Sequence, residues 1–180
     1  MGLPTLSEVK LHLRVDGDQE DSLILSLIAS AVEHFEQSTR RVLARRTIVQ
    51  KQNGLLSRDI IMLEKGPVTS VTSLTIRKDD GTFVTIPPTD YIVNCGQTET
   101  IPLLALRTNA QIPQPDNYPG SVVVTYVAET TDIPQSINAA IKLLVAHWYE
   151  NRQAVGPTGG GEVPLAYSSI ATKYLWGAYL

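Results

Sequence analysis

From Glu20 onward, Leu23, Ile24, Leu27, Ile28, Ala31 and Phe35 recur at steps of one, three and four, the spacing of a helix that buries one face. Ser26, Ala29, Glu33 and Glu36 fall on the other side. Asp18 is a natural cap for this helix, and its end is expected near Leu43. A shorter helix is predicted to precede it, from about Leu6 to Arg14. There Thr5 and Glu8 have the T-x-x-E spacing of a capping box, and Val15-Asp16-Gly17-Asp18 supplies the break.

The pattern changes in kind between Thr47 and Thr131. Thr, Val and Ile dominate, interrupted by Asn53-Gly54, Gly66-Pro67, Asp80-Gly81 and Pro87-Pro88, which is the punctuation of strands and turns. Leu74-Thr75-Ile76-Arg77 and Phe83-Val84-Thr85-Ile86 flank Asp79-Asp80-Gly81 as a hairpin. Ser121 to Val127 is apolar on both faces, which predicts a central strand or one that meets a neighbour. The proline-rich stretch from Ile101 to Gly120 is expected to meander.

Helical spacing returns at Pro134, with Asp132 as the expected cap and a proline tolerated in the first turn. Ile137, Ala140, Ile141, Leu144 and Trp148 make one stripe. The opposite face carries Ala139, Leu143 and Ala146 with only Lys142 and Glu150 for polarity, so cover on two sides is expected. The helix should stop near Arg152, before the glycine-rich run at 156–161. An apolar, aromatic tail follows. The reading is α+β: a small helical bundle with an inserted antiparallel β region. Residues 1–46 and 132–153 supply the helices, 47–131 the β-rich module, and 154–180 a hinge and docking tail.

Composition narrows the classes. A chain of 180 residues that is 43% hydrophobic and 18% charged can fold without staples. The single Cys95 excludes an internal disulfide framework and a cysteine-rich metal site. No apolar run reaches the ~20 residues of a membrane span, and Met1-Gly2-Leu3-Pro4-Thr5 lacks a basic-then-apolar signal, so the expected compartment is the cytoplasm or an assembly built there. The net charge of −3 lacks the footprint of a dedicated nucleic-acid binder. The acid excess is concentrated: residues 66–133 hold three Lys/Arg against seven Asp/Glu.

Catalytic material is sparse. His12, His34 and His147 lie far apart, and the His147–Glu150 spacing has no second pair to complete a metal site. Asp16, Asp18, Glu20 and Asp21 lack the pattern of a calcium loop, Cys95 has no histidine near it in sequence, and the glycines at 159–161 lack the Lys-Ser/Thr of a phosphate cradle. No catalytic residue, metal site or cofactor is assigned. Arg40, Arg41, Arg45 and Arg46 gather near the end of a long helix, where cations oppose the helix dipole. They are alternatively contacts to phosphate or to carboxylates of another subunit. The tail residues Leu165, Tyr167, Ile170, Tyr174 and Trp176 are either a last helix packed on its own domain or a docking segment for a partner. The glycine-rich hinge favours the latter, and in that case the chain folds without them.

Three stretches together resemble the gp6-like head-to-tail connector (adaptor) family of tailed bacteriophages and prophages, also labelled possible DNA packaging proteins. They are Leu6-Ser7-Glu8-Val9-Lys10-Leu11-His12-Leu13-Arg14-Val15-Asp16 with Asp18-Gln19-Glu20-Asp21-Ser22-Leu23-Ile24; Thr39-Arg40-Arg41; and Ile133-Pro134-Gln135-Ser136-Ile137 through Ala146-His147-Trp148-Tyr149-Glu150-Asn151-Arg152 to Val163-Pro164-Leu165-Ala166-Tyr167. The likeness covers about the first 45 and last 50 residues. The apolar finish Lys173-Tyr174-Leu175-Trp176 departs from the short basic end that such proteins often have.

The resemblance implies a non-enzymatic structural protein of the virion, made in the bacterial cytoplasm. About a dozen copies would form a ring below the portal protein, extend the DNA channel and receive the next head-completion or tail-connector protein. DNA would pass without sequence-specific binding. A ring needs a heterologous interface, so Arg40, Arg41, Ala139, Leu143, Ala146 and the tail from Leu165 onward are the expected subunit or portal contacts. The alternative is a DNA-binding accessory packaging protein that uses the Arg40–Arg46 cluster.

Overall fold

A computed structural model describes residues 2–55, 60–95, 102–107, 112–113, 115, 118–151 and 164–176. The chain divides into two compact units, Met1–Leu43 with Thr131–Leu175, and Ala44–Thr130 with Trp176–Leu180. The first is helical and the second is built from antiparallel sheets, so the fold is α+β with a β region inserted between helices at both ends.

The helical unit contains α1 (Leu6–Leu13), α2 (Asp21–Thr39), α3 (Gln135–Glu150) and α4 (Leu165–Lys173). The capping box at α1 is formed in both directions: the Glu8 N–H donates to Thr5 Oγ1 at 3.3 Å and the Thr5 N–H donates to Glu8 Oε2 at 2.9 Å. Helix α2 stops at Thr39, short of Leu43. Arg40 turns left-handed, and the Glu36 carboxylate accepts the Leu43 N–H at 2.6 Å. That fold-back buries Val42 and Leu43; their apolarity belongs to the packed connection and not to another helical turn. Asp18 contributes a backbone carbonyl to the Asp21 N–H, and the cap position is Glu20. The N-cap position of α3 is Pro134, two residues beyond Asp132, and the helix ends at Glu150 with Asn151 beyond it. Ile24, Phe35, Ile137, Ile141, Leu144 and Tyr167 meet in the core of the unit.

The β unit holds two antiparallel sheets. In the first, β1 (Arg46–Gln52), β7 (Val122–Ala128), β3 (Val68–Arg77) and β4 (Phe83–Ile86) lie in the order β1-β7-β3-β4. The second has β2 (Ile60–Met62), β6 (Leu103–Leu106) and β5 (Tyr91–Asn94), in the order β2-β6-β5. The hairpin across Asp79-Asp80-Gly81 forms as β3 and β4, with Arg77 opposite Phe83. Strand β7 is interior. Its Val122, Val124, Tyr126 and Ala128 are fully buried, while Val123, Thr125 and Val127 on the reverse face are half-buried. The stretch expected to meander contains β6, the middle strand of the smaller sheet. Leu103-Leu104-Ala105-Leu106 is too short to show a period by itself, and the prolines lie outside its ladder.

Gln50 ties the two sheets. Its Nε2 donates to Met62 O at 2.8 Å, and its Oε1 accepts from the Glu64 N–H at 2.9 Å. Beside it the Tyr126 hydroxyl accepts from the Lys65 N–H at 3.3 Å. Burial pushes the Tyr126 phenol up to about 12, with the Glu64 charge acting in the same direction and the Lys65 N–H opposing it. An acid whose folded pKa is raised favours folding while it stays protonated, so this contribution is complete below the unfolded value of 10 and lost as pH rises through about 12. Tyr126→Phe has no phenol to ionise. Chemical denaturation at neutral pH and near pH 12 should show a smaller alkaline loss of stability for the variant than for the parent; equal losses would refute this role for Tyr126.

Candidate functional site

Among the described residues no group of three or more His, Cys, Asp or Glu is placed to hold a metal ion, and no helix is long and apolar enough to cross a membrane.

In the helical unit, the arginine pair at the end of α2 separates into two roles. Arg40 occupies the left-handed C-cap position (φ 57°) with its side chain exposed. A non-glycine residue there costs roughly 1–2 kcal/mol. Arg41 turns inward. Its Nε donates to Tyr174 O at 2.9 Å, its guanidinium lies 5.5 Å from the Tyr174 ring centroid, and the Tyr174 hydroxyl in turn meets Ser136 Oγ at 2.7 Å. Burial lowers the Arg41 pKa from the ordinary arginine value, and Tyr174 acts in the opposite direction. Arg41 thus joins the end of α2 to the end of α4 and the start of α3. In the β unit, Arg45 Nη1 lies 3.7 Å from Oε2 of the half-buried Glu129, and Arg45 and Arg46 are themselves exposed.

The tail splits in the same way. Tyr167 is 2% exposed and Trp176 4%, each buried within its own unit, whereas Leu165 is 88% exposed. Ile170 and Tyr174 are half-buried. Tyr167 and Trp176 pack against residues of this chain, so a chain cut after Gly161 loses part of its interior. Trp176 packs on Gly66 so closely that a Cβ at that glycine would overlap the indole ring. Among the back-face residues of α3, Ala139 is exposed and Leu143 and Ala146 are half-buried.

A groove of about 280 Å³ runs between α2 and α4, lined by His34, Ser38, Tyr167, Ser168, Ala171, Thr172 and Leu175. The Tyr167 hydroxyl lies 2.8 Å from His34 Nδ1 and 3.1 Å from Ser38 Oγ, and Ser38 Oγ donates to Phe35 O at 3.1 Å. One proton order satisfies all four atoms: the His34 Nδ1–H donates to Tyr167, Tyr167 to Ser38, and Ser38 to Phe35 O. Burial raises the Tyr167 pKa, against the Ser38 bond that lowers it. The Trp148 ring meets His34 edge-on at 5.9 Å between centroids. Sequence reading missed this arrangement because His34 and Tyr167 are far apart along the chain and no spacing pairs them.

The family model for head completion protein matches residues 2–166. No curated protein matches the chain. Among solved structures, a chain in the neck of an empty GTA particle computed with C6 symmetry superposes with a TM-score of 0.75 at 20% identity, covering 98% of this chain and 91% of that one. A chain of the virion of a native gene transfer agent particle gives 0.73 at 20% identity, covering 100% and 95%. One from the neck of a native GTA particle computed with C12 symmetry gives 0.74 at 19% identity, covering 97% and 90%. At these identities the likeness is one of fold.

Proposed function

The chain belongs to the head completion protein family, and we propose that it is a structural adaptor of the head-to-tail junction of a tailed phage or phage-like particle. Copies of it would form a ring below the portal, continue the DNA channel and offer a seat for the next connector or the tail. The observation that carries this reading is the family match over residues 2–166 together with nearly end-to-end agreement in fold with chains from the necks of GTA particles. Exposed apolar and arginine side chains such as Leu25, Leu165 and Arg40 suit a part that works by docking.

Ring and portal contacts are assigned to the exposed members of the expected set, namely Arg40, Ala139 and Leu165, with the half-buried Leu143, Ala146, Ile170 and Tyr174 at their margins. Arg41 and Tyr167 act through the packing that holds these surfaces in place, and Trp176 through the packing of the β unit. Arg40 offers a separation of function from fold. Glycine suits its left-handed backbone, so Arg40→Gly is expected to leave stability unchanged or raise it by about 1 kcal/mol. Cosedimentation with DNA-filled, portal-bearing capsids should fall for the same variant. Undiminished cosedimentation would remove Arg40 from the interface, and failure of the unmodified protein to cosediment would count against the adaptor role.

The DNA-binding alternative makes a different forecast. The chain is acidic overall, and within the arginine cluster one side chain turns inward and another lies beside a glutamate, which weakens the cluster as a phosphate site. In a low-salt mobility-shift assay with random-sequence duplex, no retardation is expected. Retardation that is abolished by replacing Arg40, Arg45 and Arg46 with alanine would favour the alternative.

A further inference from the structure

We propose that the groove between α2 and α4 receives the opposite flank of α2 from a second copy of this chain, with Leu25 as the inserted side chain. The inference rests on the adaptor reading above and assigns the neighbour-to-neighbour contact within the ring.

Leu25 and His34 are nine residues apart. Nine residues are two and a half helical turns, so the two side chains leave α2 on opposite sides. The core face of the helix, marked by Ile24, Ala31 and Phe35, lies between them. On one flank Leu25 is 51% exposed, accompanied by exposed Ser22 and Ala29 and half-buried Val32. The other flank, with α4, forms the groove of about 280 Å³. A protrusion and a recess on opposite flanks of one element are what a head-to-tail contact requires, because each copy must present one surface to its predecessor and a different one to its successor. Neck assemblies reconstructed with C6 and C12 symmetry contain chains of this fold, which makes a further copy the natural occupant.

The hydroxyls of Tyr167, Ser38 and Thr172 do not argue against an aliphatic guest. The Tyr167 and Ser38 hydroxyls are engaged with His34 and Phe35 O, and Thr172 Oγ1 donates to Ser168 O at 2.9 Å. Covering groups that already have partners inside the chain avoids the cost of stranding a donor or acceptor. Ala171 and Leu175 supply the apolar floor and edge.

The test uses the full chain with Cys95→Ser, bound to portal-bearing capsids and imaged to confirm the ring. Leu25→Cys is paired with Thr172→Cys in one variant and with Ser168→Cys in another, because disulfide closure needs Cα atoms within about 7 Å. Mild oxidation should give covalent dimers and higher multimers from at least one pair, and none from Leu25→Cys alone. In parallel, Leu25→Asp should lower the fraction of ring-bound protein by at least ~10-fold while leaving the melting temperature of the free chain unchanged, since taking a carboxylate out of water costs more than neutral groove side chains return. A visible ring that gives no crosslink with either pair and tolerates Leu25→Asp overturns the groove contact and leaves the adaptor reading standing. If the unmodified protein forms no ring on the portal, the adaptor reading fails and the groove contact with it.

Discussion

Trp176→Ala should lower stability by about 3–5 kcal/mol, the range for emptying a large aromatic site. The indole is 4% exposed and packs directly on Gly66, inside the β unit. Gly66→Ala should damage the same place from the other side, because its new methyl group would overlap the ring. The pair gives a sharper readout than either change alone. In the Trp176→Ala background the methyl no longer meets an indole, so Gly66→Ala should cost little or partly refill the vacancy. Thermal denaturation of the parent, both single variants and the double variant would measure the coupling. Additive losses would mean that the two residues do not share a site.

The second large effect concerns Tyr167. Tyr167→Ala should cost about 3–5 kcal/mol, because it removes a ring buried against Phe35 at 6.2 Å between centroids. Tyr167→Phe keeps the ring and loses only the hydroxyl contacts to His34 and Ser38, so its cost should be nearer 1 kcal/mol. Truncation after Gly161 removes Tyr167, Ala171 and Trp176 together and should leave the helical unit without cooperative unfolding. Circular dichroism melts of the three proteins would check the order. A truncated chain that melts like the parent would show that α4 is a docking appendage after all.

Much of the architecture was legible because it is written locally. The period of Leu23 to Phe35, the capping box of Thr5 and Glu8, the hairpin around Asp80-Gly81 and the doubly apolar strand at Val122–Ala128 each identify an element from a few adjacent residues. What escaped depends on partners distant in sequence. Val42 and Leu43 look like a last helical turn but are buried by the fold-back that Glu36 anchors. Leu103–Leu106 carries no period, yet becomes a middle strand because β2 and β5 flank it. The tail shows the same limit most clearly. Aromatic residues beyond a glycine-rich stretch suggest an interface, and composition cannot tell a partner's surface from the chain's own core. Tyr167 is claimed by His34 and Ser38, and Trp176 by Gly66, pairings that no sequence spacing announces. For the arginine cluster, the sequence grouped four like charges; the backbone turn at Arg40 and the carbonyl of Tyr174 divide them into an exposed residue and an inward-facing one.

The direct test of the adaptor role is an electron-microscope reconstruction of the purified protein bound to isolated portal-bearing capsids, computed first without imposed symmetry. The account predicts a closed ring of identical copies around the portal exit, coaxial with the channel and open along its axis. Density confined to the capsid exterior, or a vertex indistinguishable from that of capsids without the protein, would contradict it.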